Sequence, residues 1–136
     1  MYINILAILV SAIVCSFLGY FWYSKKMFGD TWMRLSGLPM TPADPVVAKK
    51  VMMKGVLMTL IGWVLSAWVL ANVIALMGTD SFGGGLEVGF FAWLGLVAPA
   101  QIGMVMWERK PWKYFWITSG YQLVGLLVTS VILALW

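Results

Sequence analysis

The chain has 136 residues, of which 62% are apolar and 10% charged, and its mean hydropathy is +0.93. That composition excludes a water-soluble domain, whose surface would need far more charge, and the net charge of +4, spread over a few cations beside apolar runs, points to lipid headgroups rather than nucleic acid. No histidine and one cysteine, Cys15, exclude an internal disulfide and a metal site of His or paired Cys, and remove the residue most used for proton transfer near neutral pH.

An uncharged run from Ile3 to Ser24 opens the chain, long enough to cross the hydrocarbon core as a helix. No basic residue precedes it and it exceeds a typical signal-peptide core, so it reads as an anchor rather than a cleaved leader. Ala7, Ser11, Cys15 and Gly19 recur every fourth residue, a stripe that lets helices approach closely in lipid. Cys15 reads there as a small packing residue.

The segment 25–53 is the only connection with content of its own. Asp30 is expected to cap a short interfacial helix over about 30–36, ended by Gly37, with Phe28, Trp32 and Leu35 on one apolar face and a break at Leu38-Pro39. Asp44-Pro45 then reads as the cap and first residue of a second long helix reaching about residue 77, with 52–77 crossing the bilayer. Lys49, Lys50 and Lys54 should snorkel from its first turns toward headgroups. Its small residues are Gly62, Ser66, Ala67, Ala71 and Ala75.

The next connection, Gly78–Gly85, holds four glycines and reads as a short mobile loop. A third span is expected over about 86–107, with Glu87 at its start, Gly95, Pro99 and Gly103 as its small stripe, and a kink at Pro99. Glu108 to Trp112 forms a tight reversal into a fourth span over about 114–136, which offers Gly125 and Thr129 for packing. Each span of roughly 22–24 residues would measure about 33–36 Å.

The first connection carries six cations (Lys25, Lys26, Arg34, Lys49, Lys50, Lys54), the third carries three (Arg109, Lys110, Lys113) and the second none. By the positive-inside bias the first and third face the cytoplasm, and both termini lie outside a bacterial inner membrane. Trp22, Tyr23, Trp32, Trp107, Trp112, Tyr114 and Trp116 gather at the predicted cytoplasmic interface, with Tyr2 and Trp136 at the outer one. The expected fold class is an all-α membrane protein. It forms one transmembrane domain over residues 1–136, four spans in a compact bundle with a short interfacial helix in the first loop.

Candidate chemistry is thin. No Asp, Glu, Lys or Arg falls in the centre of a span, where an ion-coupled transporter usually needs one. Gln101 and Gln122 lie roughly 10–14 Å inside the cytoplasmic face and are expected to bond each other or a bound molecule, with Tyr121 close by. Asn72 and Asn4 share a depth near the outer face and are expected to pair likewise. No nucleophile–base pair, phosphate-binding glycine loop or metal-ligand cluster is present, so no cofactor is expected.

Trp22-Tyr23-Ser24, Phe28-Gly29 and Trp32, then Glu108-Arg109 and Gly120-Tyr121 with an apolar run to Trp136, together resemble domain-of-unknown-function family 1761. These are small bacterial four-span membrane proteins, and the likeness covers essentially the whole chain. Lys25 departs from the small or Pro residue expected after Ser24. The resemblance implies a fold and a location but no activity. It marks Trp22, Tyr23, Phe28, Trp32, Glu108, Arg109 and Tyr121 as candidate lipid or ligand contacts, with Glu108 and Arg109 tying the third loop to the Trp22–Trp32 segment. The leading expectation is a non-enzymatic bundle that self-associates or holds a lipid or hydrophobic ligand. Its partners are the bilayer and, as an open alternative, further copies of itself. The second is a small transporter or channel with a polar path past Gln101, Gln122 and Asn72. A four-span drug exporter would need an acid in its first helix, which is missing here. A membrane enzyme ranks last.

Overall fold

Asn4 sets the start of the first helix, its side-chain oxygen accepting from the backbone N–H groups of Leu6 and Ala7 at 2.9 and 3.2 Å. Such a cap satisfies donors that have no partner within the helix. Helix α1 then runs Ile5–Trp22. The structure, a computed structural model, describes residues 3–37 and 44–136. The outer-interface position of Tyr2 and the break expected at Leu38-Pro39 lie outside the described residues.

A tight turn follows α1, in which Phe28 and Gly29 donate their backbone N–H groups to the carbonyls of Trp22 and Ser24. This turn starts helix α2, Gly29–Ser36, one residue earlier than expected. Asp30 therefore sits in its first turn and does not cap it; Phe28 holds the cap position without a side-chain bond. Gly37, in the left-handed conformation, ends it. Phe28, Trp32 and Leu35 are half-buried and Arg34 is exposed, as an interfacial helix requires.

Helix α3, Pro45–Met77, begins with the Asp44 carboxylate accepting from the Val46 N–H at 2.9 Å and ends at left-handed Gly78. Its 33 residues make about 50 Å, well beyond the roughly 30 Å hydrocarbon core. The surplus lies at its start. Trp63 is its first buried residue, and Lys49, Lys50 and Lys54 are all exposed on the protruding turns.

The glycine-rich connection is shorter than expected. Ser81 caps helix α4, Phe82–Ala92, by accepting from the Gly84 N–H at 3.1 Å, so Gly83, Gly84 and Gly85 are helical. A π-helical turn, Trp93–Val97, joins α4 to α5, Ala98–Met106, and the three pieces make one rod of spanning length. In that turn the Ala98 N–H reaches back to the Trp93 carbonyl. The wider turn just precedes Pro99, which has no N–H to offer.

The π turn also rotates the buried face. Gly85, Val88, Gly89 and Trp93 are buried, and the next buried residue is Ala98, five positions on. Leu96, where a regular helix would continue the face, is 76% exposed. The stripe expected at Gly95, Pro99 and Gly103 is accordingly not the packing surface; a Cβ at Gly95 would meet nothing within 4 Å. Gly85 and Gly89 take that role against the final helix. A Cβ on Gly85 would lie 2.9 Å from Val131 Cα, and one on Gly89 would lie 2.7 Å from the Leu126 carbonyl oxygen.

Helix α6, Trp112–Leu135, follows Pro111 and touches every other helix. Of its most apolar stretch 44% is buried, against 22–28% in the other three spanning rods. It is the central strut. The chain is an all-α bundle of four helices long and apolar enough to cross a membrane, with no strand among the described residues. On α1, the stripe Ala7, Ser11 and Cys15 is at most 1% exposed, and Gly19 faces Tyr121 of α6.

Candidate functional site

At the basic end of the bundle, rings from three elements pack on one another. Trp22 and Phe28 lie 5.0 Å apart, Tyr23 meets Trp32 edge-on at 5.4 Å, and Tyr23 meets Tyr121 edge-on at 5.5 Å. Trp32 also stacks on Tyr114 at 6.3 Å. The Trp22 indole donates to the Ile117 carbonyl at 2.9 Å, pinning the end of α1 to α6. Five of the expected contact residues, Trp22, Tyr23, Phe28, Trp32 and Tyr121, thus form one cluster that caps the bundle. Trp107, Trp112 and Trp116 stand apart from it, 87%, 49% and 59% exposed, as an outward belt would. The Trp32 indole N–H is buried and has no partner among the described residues.

Glu108 and Arg109 do not make the tie expected of them. Both are exposed, and no ion pair forms among the described residues. Arg109 occupies a left-handed turn position with φ 56. The tie belongs to the next residue. Lys110 donates to the Ser36 carbonyl at 2.5 Å and lies 5.5 Å over the Tyr114 ring, holding α2 against the start of α6.

Deeper in, three helices meet at Tyr121. Its hydroxyl accepts from the Trp63 indole N–H at 2.7 Å and donates to the Cys15 carbonyl at 2.8 Å. One phenol therefore joins α1, α3 and α6. Gly19 leaves room for it, since a Cβ there would lie 2.6 Å from the hydroxyl. The Cys15 thiol contacts the Thr129 hydroxyl at 3.1 Å and the Gly125 carbonyl at 3.4 Å. Trp93, four residues after Gly89 on the buried face of α4, donates to the Ser119 carbonyl at 2.8 Å. Sequence reasoning missed Trp63, Trp93 and Ser119. The available signal was three mid-span tryptophans, Trp63, Trp68 and Trp93, whose N–H groups need an acceptor in lipid; Trp63 and Trp93 are the two that turn inward.

The intramembrane amides are placed differently from expectation. Gln101 faces Thr118 rather than Gln122, its oxygen 3.5 Å from a hydroxyl that has closer acceptors in the Tyr114 and Phe115 carbonyls at 3.1 and 3.2 Å. Gln122 lies one turn further along α6, half-buried, and bonds no described residue. Asn72 donates to the Trp68 carbonyl of its own helix at 2.8 Å, while Asn4 is spent on capping α1, so those two do not pair. A carbonyl one turn back is available whatever the rotation of the helix, and it wins over a partner that needs a particular rotation. No group of three or more acidic, His or Cys side chains able to hold a metal occurs among the described residues.

No curated protein and no solved structure matches the chain. A family model described as a protein of unknown function, DUF1761, does match it, over residues 6–134. With nearly all of its length covered, the chain belongs to that family of unknown function.

Proposed function

We propose that the chain is a non-enzymatic membrane bundle whose working surface is its basic end, held on the cytoplasmic leaflet by anionic lipid headgroups. The observation that carries this reading is a charge imbalance. Lys25, Lys26, Arg34, Lys49, Lys50, Lys54, Arg109 and Lys113 are all exposed, and none has a carboxylate partner. Lys25, Lys26 and Arg34 flank the ring cluster in sequence, and Lys49, Lys50 and Lys54 lie on the turns of α3 that precede its first buried residue, Trp63. Each such cation contributes about 1 kcal/mol of attraction to an anionic leaflet. A non-catalytic role is supported by the absence of histidine and by the scatter of the five acidic residues along the chain. A filled interior around Tyr121 gives a polar conduit little support.

The test is lipid retention by the purified full chain, read by native mass spectrometry from mixed phosphatidylglycerol and phosphatidylcholine micelles. Phosphatidylglycerol should be retained at least fivefold over phosphatidylcholine, and the triple substitution Lys49→Gln, Lys50→Gln, Lys54→Gln should remove most of that preference. Equal retention of the two lipids by the unaltered chain would refute the reading.

A further inference from the structure

From Pro45 to Gly62 helix α3 has no buried residue, and a Cβ added to Gly55 or Gly62 would meet nothing within 4 Å. That bare stretch carries a regular pattern. Ala48, Gly55, Gly62 and Val69 recur every seventh residue, and Val51, Met58 and Leu65 follow the first three of them by three residues. An apolar repeat that alternates steps of three and four marks the seam of two helices wound about each other. Small residues at the first three sevenfold positions let two backbones approach, and the larger side chain three residues on fills the space beside them. Val51, Met58, Leu65 and Val69 are all exposed.

This seam is separate from the face that α3 uses within its own chain. Its buried residues are Trp63, Ala67, Leu70, Ala71 and Ile74, and none falls on the repeat. A partner can therefore seat there without displacing α1 or α6. Lipid tails cannot cover the whole seam. The helix exceeds the hydrocarbon core by about 20 Å, and Val51 lies on those surplus turns, with exposed Val47 and Met52 beside it. There the apolar stripe meets headgroups and water, and covering it takes protein.

We propose that the partner is a second copy of this chain, joined along α3 in a parallel pair. Copies inserted in the same direction meet about a two-fold axis along the membrane normal, where each seam residue faces its own counterpart. Such a contact must keep like charges off the axis. Lys49, Lys50 and Lys54 all lie off the repeat, the first two on the side turned away from it. The pairing does not depend on the lipid reading at the basic end.

The full chain in phosphatidylcholine vesicles, at high lipid dilution, is given one added cysteine at a time and oxidised with copper phenanthroline. The native Cys15 is buried and stays out of reach. Val51→Cys and Met58→Cys should cross-link into dimers at least fivefold more than Leu57→Cys, which is as exposed as Met58 but lies off the seam. Gly62→Leu fills an open position without touching its own chain, so the melting profile should hold. The dimer dissociation constant, read by energy transfer between labelled copies, should rise at least tenfold. A chain that stays monomeric overturns the proposal and leaves the seam to lipid or to a different protein. Equal cross-linking at the three positions, or a dissociation constant unmoved by Gly62→Leu, overturns it as well.

Discussion

Substituting Gly125 by valine should cost about 3 kcal/mol of stability, the upper end for overpacking a core. A Cβ at this position would overlap the Trp63 ring, lying 2.6 Å from Cζ2 and closer still to Cη2. Trp63 is 4% exposed, and its indole is fixed by the 2.7 Å bond to Tyr121, so the ring cannot swing aside without losing that bond. Nor can α6 retreat, because Gly85 and Gly89 of α4 press on its other side. Reversible unfolding in mixed micelles gives the measurement. The pair Gly125→Val with Trp63→Leu should recover at least half of the loss, since shortening the ring removes the clash. An unaltered midpoint for Gly125→Val alone would mean that α3 and α6 do not meet there.

The next largest effect is expected from Tyr121→Phe, at about 2 kcal/mol. The ring contacts with Trp22, Tyr23 and Trp63 survive the change. What is lost is the acceptor of a buried indole N–H, and leaving such a donor unpaired costs about 1–3 kcal/mol. The Cys15 carbonyl suffers less, having its own helix to bond. A double-mutant cycle separates the two terms. With Trp63→Phe already in place, Tyr121→Phe should cost at least 1 kcal/mol less than it does alone, because no orphan donor remains. Strict additivity would show that the phenol and the indole do not interact.

What was legible in the residues was local. Asp44-Pro45 and Gly78 marked both ends of α3 because capping depends only on neighbouring backbone. The fourfold spacing of Ala7, Ser11 and Cys15 marked the buried face of α1 because that helix is regular throughout. Where a contact depends on the rotation of a rod, residue spacing alone does not fix it. On the third rod the fourfold small stripe is Gly95, Pro99 and Gly103, but the π turn at Trp93–Val97 turns that face outward, and Gly85 and Gly89 pack instead. Interface depth places Trp22, Tyr23, Trp32 and Tyr114 in the ring cluster at the basic end, but it also includes Trp107, Trp112 and Trp116, which stand apart, while Phe28 and Tyr121 are marked only by the family resemblance. The clasp of that cluster was misassigned by one residue, since the left-handed turn at Arg109 leaves Lys110 as the residue that reaches Ser36. The Asn72–Asn4 pair does not form for a related reason, as each side chain bonds backbone of its own helix.

We infer that α6 sits in a filled interior, closed by rings at the level of Tyr121. The native thiol is the most direct probe. Cys15 is fully buried on α1, against Thr129 and beside the Tyr121 hydroxyl bond. In intact membranes, N-ethylmaleimide applied from both sides should leave Cys15 unmodified, while the same chain unfolded in dodecyl sulfate should be labelled to completion. Rapid labelling in the intact membrane would show that water and solutes reach the middle of the bundle, and the closed interior would have to be abandoned.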